Sequence, residues 1–217
     1  MKRPLLLVLT LFVAQLAFAQ IEQATEAVPE VQEEDRFRNL RHSVGFGIIG
    51  GGETSGKFFP MPGLGYKYYT DEGAFRVMVG GLINTNTSDG GWGFSSYDES
   101  AFNVHLGYQY HVMLGRFMPI IGVDLAGGIY ERKSSGPNYL EKQRNAVLGL
   151  SPNVGLEMFI TNRLSFLIDT RFDVSYKDSY SLYEFSDGWQ DDFSKTRTQG
   201  MQTHISAVSS FMAIFHF

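Results

Sequence analysis

Residues 164–176 read "LSFLIDTRFDVSY". Phe166, Ile168, Thr170, Phe172, Val174 and Tyr176 fall on one side of an extended strand, and Ser165, Asp169, Arg171 and Asp173 on the other. Successive side chains of a strand point to opposite faces, so this spacing predicts a strand that is oily on one face and charged on the other. Which of the two faces turns toward the protein interior decides the fold.

Seven further stretches repeat the pattern. Before it come "HSVGFGII" (Val44, Phe46, Ile48), "PGLGYKYY" (Leu64, Tyr66, Tyr68), "AFRVMVGGLI" (Phe75, Val77, Val79, Ile83) and "AFNVHLGYQY" (Phe102, Val104, Leu106, Tyr108, Tyr110). "IIGVDLAGGIY" (Ile121, Val123, Leu125, Ile129) and "VLGLSPNVGLEM" (Leu148, Leu150, Val154, Leu156, Met158) lead into it. The terminal "HISAVSSFMAIFHF" closes the chain with Ile205, Ala207, Phe211, Ala213, Phe215 and Phe217 on one face. The connections alternate too. "TDEG" (70–73), "VMLG" (112–115) and "TNR" (161–163) are tight, whereas 50–58, 85–100, 131–144 and 177–202 are expected as loops, three of them long and polar. Eight alternating strands with short turns at one end and long loops at the other predict an all-β protein, an antiparallel up-and-down transmembrane β-barrel.

The charges settle which face is inward. One face carries Lys67, Arg76 and Arg171 against Asp124, Glu157, Asp169 and Asp173, with His105 among glycines, serines and asparagines. A charged side chain held against lipid at the bilayer midplane costs roughly 2–4 kcal/mol. Small residues suit the bore of an eight-stranded barrel, which is only just wide enough for side chains. These eight residues are therefore expected as an interior polar network, opposite to a lipocalin-like barrel that points its oily face inward. Tyr66, Tyr68, Tyr108, Tyr110 and Phe215 would form one aromatic girdle of the outer face, and Tyr130 and Tyr176 the other. Pro60 and Pro62 open the second strand, where a missing donor is tolerable, and Pro152, inside the sixth, predicts a bulge.

The ends say where such a barrel would sit. Met1-Lys2-Arg3, the apolar run "PLLLVLTLFVAQLAFA" and the small-x-small Ala17-Phe18-Ala19 predict a signal peptide over 1–19. Residues 20–40 are acidic and short of aromatics, which predicts a flexible periplasmic leader before a barrel over 41–217. The absence of cysteine excludes a disulfide framework, thiol catalysis, a zinc-thiolate site and an acyl anchor on cysteine. The net charge of −5, more acidic still without Lys2 and Arg3, argues against nucleic acid as a partner.

On these residues the chain resembles the outer-membrane protein β-barrel family, the small OmpA- and OmpW-like eight-stranded barrels. The resemblance covers about 41–217 and includes "SPNVGLEMFITNRLSFLIDTRFDVSY", similar to that family's penultimate hairpin. It implies a location in the bacterial outer membrane, contact with outer-membrane lipid, and a C-terminal assembly signal in Phe215 and Phe217, read by the barrel-assembly machinery.

Candidate chemistry is sparse. His204-Ile205-Ser206 is similar to the His-x-Ser pair of lipid A deacylase barrels, but no acidic residue follows it and the pair would face the bore rather than lipid. His105 beside Asp124 supplies two ligands, which is not a metal shell, and is expected as an interior hydrogen bond. "DGWQDDF" (187–193) lacks the Gly and Glu positions of a calcium loop, and "SDGGWGF" (88–94) lacks the lysine and the strand-to-helix setting of a phosphate loop. Neither catalytic residues, nor cofactor, nor metal are expected. The loop aromatics, Trp92, Phe94, Tyr183 and Trp189 foremost, would be recognition anchors for an envelope partner, or a cap over the bore. A structural or interaction role is expected first, passage of a small hydrophobic solute through an OmpW-like barrel second, and lipid modification last.

Overall fold

The computed structural model describes residues 40–51, 59–90, 93–186 and 191–217. The expected signal peptide and leader lie outside the described residues, save Leu40. Eight strands follow one another: β1 (His42–Gly51), β2 (Phe59–Tyr69), β3 (Gly73–Gly90), β4 (Gly93–His111), β5 (Phe117–Gly136), β6 (Tyr139–Phe159), β7 (Leu164–Ser186) and β8 (Asp191–His216). Each pairs antiparallel with the next, and β8 returns to β1, so the sheet is a closed up-and-down barrel.

The closing seam runs from Ser43 opposite His216 to Ile49 opposite Ser210. The chain end is fixed in it: the Phe217 N–H donates to the His42 carbonyl at 2.8 Å, and the His42 N–H donates back at 3.2 Å. Phe215 stacks on Phe46 with ring centroids 6.1 Å apart, and Phe217 on His42 at the same separation. Gly47 makes this approach feasible, because a Cβ there would stand 2.1 Å from the Phe211 carbonyl oxygen. A terminus that would fray in a soluble domain is held here by both backbone and aromatic contacts.

The outer face is oily along its length. Phe46, Leu64, Phe75, Phe102, Leu106, Ile121, Leu125, Leu150, Val154 and Phe211 are all exposed there. Continuous apolar exposure on that scale marks a surface whose solvent is hydrocarbon. Tyr66, Tyr110, Phe215 and Tyr176 also lie on the outer face. Tyr68 packs against His42 at 5.2 Å and Tyr108 against Phe75 at 5.0 Å, ring to ring.

Three expectations are corrected. The long loops are largely not loops: β3 and β4 stay paired up to Gly90 opposite Gly93, β5 and β6 up to Gly136 opposite Tyr139, and β7 and β8 up to Ser186 opposite Asp191. Their sequences lose the oily–polar alternation because both faces leave the membrane, but the backbone ladder does not need that alternation. A tilted strand crosses hydrocarbon in about 9–11 residues, so β8, with 26 residues, extends far beyond it. Second, Pro152 causes no bulge. It keeps register opposite Val123, and the ladder to β7 only skips from Leu150–Val174 to Asn153–Arg171, where the Ser151 hydroxyl donates instead to the Asp173 carboxylate. The register shift lies between Asp169 and Arg171, against β8, where Val208 is exposed and Ser209 and Ser210 are both buried. Third, Tyr130 is not part of an outer girdle. It shares the inward face of Asp124 and donates its hydroxyl to Glu99 at 2.8 Å.

The prolines opening β2 act as expected on one side only. Pro60 and Pro62 pair with β1, opposite Gly50 and Ile48, while the β2–β3 ladder ends at Gly63 opposite Gly80, one residue short of Pro62.

Candidate functional site in the bore

From the short-turn end outward, the inward side chains form layers. The first joins four strands through one carboxylate. Glu157 on β6 is fully buried and accepts from Lys67 Nζ of β2 at 2.8 Å, from the Ser165 hydroxyl of β7 at 2.6 Å and from the Tyr69 hydroxyl at 3.1 Å. His216 Nε2 of β8 stands 3.2 Å from the same carboxylate. The alternation of each strand sends these residues inward, and the antiparallel order brings them to one level. Around them lies an apolar packing of Met118, Ile120, Phe159, Leu167 and Ile214, and Gln109 donates to Asn153 at 3.0 Å.

The second layer crosses the bore. Arg76 Nε donates to Asp124 at 2.8 Å, its Nη2 also meets the Asp124 carboxylate, and its Nη1 donates to Asp169 at 2.8 Å. Arg171 Nη2 lies 3.4 Å from Asp169 and its Nε 3.9 Å from Asp124. Two guanidinium groups and two carboxylates thus form a closed, charge-balanced square of buried groups. Gly107 makes room for it, since a Cβ there would be 2.0 Å from Asp124 Oδ1. Charges this deeply buried persist only when paired and hydrogen-bonded.

His105 does not meet Asp124, whose carboxylate is occupied by Arg76. It lies instead against Arg171, with Nη1 of that residue 3.3 Å and 3.4 Å from the two ring nitrogens. Asp173 sits one inward position beyond Arg171 on β7 and faces a small cavity. Lys67, Arg76, Asp124, Glu157, Asp169 and Arg171 therefore belong to two separate clusters, with His105 beside the second and Asp173 beyond it.

Of the aromatic candidates, Tyr183 is exposed on the β7 ribbon. Phe94 lies on β4, and Trp92 and Trp189 lie outside the described residues. His204 pairs with Asp173 across β7–β8, and Ser206 with Arg171. A carboxylate thus does come from the neighbouring strand, as the His-x-Ser similarity would require.

Sequence reasoning missed a third cluster near the ribbon end. Glu99 on β4 is buried and accepts the hydroxyls of Tyr97, at 3.0 Å, and Tyr130, while Arg132 lies 5.1 Å from the centre of the Tyr97 ring. The available signal was parity: Glu99 is an even number of residues from His105, so it shares the inward face. On the outer ribbon Arg197 Nε donates to Asp178 at 2.9 Å, and this hydrogen bond holds the Asp178 carboxyl down at about 2. The pair is exposed, and an ion pair of that kind adds little to stability.

No protein-family model matches the chain, and no curated protein matches it in sequence. Among solved structures it is similar to Ail, the attachment invasion locus protein of Yersinia pestis, with 15% sequence identity and a TM-score of 0.44 over 81% of this chain and 96% of that one.

Proposed function

We propose that the protein is an integral barrel of the bacterial outer membrane with a structural or interaction role, exerted through its projecting ribbons and not by conduction or catalysis. The observation that carries this is the charge-balanced square of Arg76, Asp124, Asp169 and Arg171, which spans the bore with every member at most 2% exposed. An ion would have to break buried pairs to pass. Beyond it the wall continues as paired ribbons carrying Tyr139, Tyr183, Phe185 and Phe193, all exposed, which suits recognition of an envelope partner. The resemblance to small OmpA- and OmpW-like barrels, the periplasmic placement of the short turns and the assembly role of Phe215 and Phe217 are parts of the same proposal.

One observation favours a second reading, lateral passage of a small hydrophobic solute. Past Gly80 on β3 and before Ser210 on β8, among the described residues, each strand keeps a ladder partner on one side only. Reconstitution into planar bilayers separates the two. The structural reading predicts no unitary current above the leak of protein-free bilayers, and stepwise conductance would favour transport.

A further inference from the structure

We infer that the projecting edge of β8 takes up an extended segment of a partner polypeptide as an added β-strand. The inference rests on the interaction role proposed above and supplies its mode of recognition and the chemistry of the partner. From Phe193 to Met201, β8 pairs with Glu184 to Tyr176 of β7. Its ladder with β1 starts only at Ser210, and no other backbone hydrogen bond among the described residues reaches the stretch. One side of β8 therefore presents a row of open N–H and C=O groups. With a tight turn at its tip, the stretch 52–58 would lengthen the β1–β2 hairpin by about three rungs at most, which ends short of Met201.

This edge stands in water. Met201 lies opposite Tyr176 of the outer girdle, and every residue from Phe193 to Gly200 is exposed. An open edge inside hydrocarbon would leave its backbone groups unsatisfied. In water such an edge is a template for pairing, which sheets usually blunt with proline, a bulge or shortness. Here there is no proline between Phe193 and Met201, and the ladder to β7 holds its register throughout. Gly200 leaves the approach open, since a Cβ there would meet nothing within 4 Å. A polypeptide backbone repeats donors and acceptors at the spacing this edge requires.

The side chains bias the choice of segment. Phe193, Lys195 and Arg197 point outward, alternating with Ser194, Thr196 and Thr198, and the stretch from Phe193 to Met201 carries two cations and no acid. Like charges directly opposite each other destabilise a ladder, so a second copy of the same stretch is disfavoured and an acidic segment favoured. Arg197 is already held by Asp178, and Glu184 lies opposite Phe193. Lys195 rests 5.4 Å from the centre of the Tyr180 ring and makes no ion pair among the described residues. An acidic side chain beside Lys195 is therefore the preferred feature of the incoming strand.

The molecule itself supplies a probe. A synthetic peptide copying residues 178–186, "DSYSLYEFS", is the strand β8 already accepts on its paired side, with Leu182 at the position opposite Lys195. The cysteine-free chain is labelled with a nitroxide at Gln199→Cys on the edge, or at Asn138→Cys on a ribbon turn as reference, and studied as the full protein in detergent. The peptide should immobilise the label at 199 and leave that at 138 unchanged. Glutamate in place of its leucine should tighten binding, and lysine there should weaken it. Alternate residues of an added strand turn their N–H groups toward β8. N-methylation of every second residue should therefore weaken binding at least about tenfold in one phase and leave it nearly unchanged in the other. No immobilisation at 199 with millimolar peptide, or equal loss in both phases, would overturn the inference. So would immobilisation at 199 that grows with protein concentration before peptide is added, since a second copy would then hold the edge. Conductance in planar bilayers counts instead against the interaction role itself, so the two failures are separable.

Discussion

Arg76→Met should destabilise the barrel by about 3–5 kcal/mol, the usual cost of removing one partner from a buried ion pair. Arg76 is 1% exposed and bonds two carboxylates at once, Asp124 and Asp169. Without it both acids would share Arg171, which reaches them only at 3.9 Å and 3.4 Å. The double variant Arg76→Met with Asp124→Asn should be markedly more stable than Arg76→Met alone, because it leaves Arg171 and Asp169 as a balanced pair. Urea titration followed by the mobility difference between boiled and unboiled protein on gels measures the unaltered protein, the two single variants Arg76→Met and Asp124→Asn, and the double variant. Simple addition of the two single costs would show that the square is not a coupled unit.

Glu157→Leu is the second large effect, of similar size, about 3–5 kcal/mol. It strips the partner from Lys67 and the common acceptor from Tyr69, Ser165 and His216, all at the level where the barrel closes. Because these groups come from β2, β6, β7 and β8, the loss should appear mainly as faster unfolding of the whole barrel, not as fraying of one hairpin. Lys67→Met in the Glu157→Leu background should recover most of the loss, since an apolar pair of similar volume can replace a buried ion pair at little cost. Unfolding rates in concentrated urea give the comparison. Equal instability with and without Lys67→Met would mean that packing, and not the stranded charge, is at fault.

The barrel was legible in the sequence because a closed sheet in a membrane leaves each strand two fixed environments. Phe166 through Tyr176 on one side and Ser165 through Asp173 on the other follow from that alone, as do the eight strands. Parity broke down wherever the two environments became alike. Beyond the membrane both faces of β3 to β8 meet water, so residues 85–100 and 177–202 looked like loops although the ladder continues through much of both. The shift opposite Asp169 and Arg171 was equally hidden, since Val208, Ser209 and Ser210 carry no glycine or proline to announce it, whereas Pro152, which does look like an interruption, holds its register. Inward groups could be named from the sequence, but not their partners. Strand order places Asp124 and Asp169 around Arg76 and gives Lys67 to Glu157, and no periodicity encodes those distances between strands.

Within the membrane, one face of each strand meets hydrocarbon while the other meets a packed polar bore. A spin-label scan through β4 from Phe102 to Gln109, one cysteine at a time in vesicles, tests it most directly. Oxygen accessibility should peak at 102, 104, 106 and 108 and fall at 103, 105, 107 and 109, while a water-soluble nickel chelate should reach none of the first four. Loss of that two-residue period, or access of the nickel chelate to positions 104 and 106, would contradict a membrane-spanning barrel with this face turned to lipid.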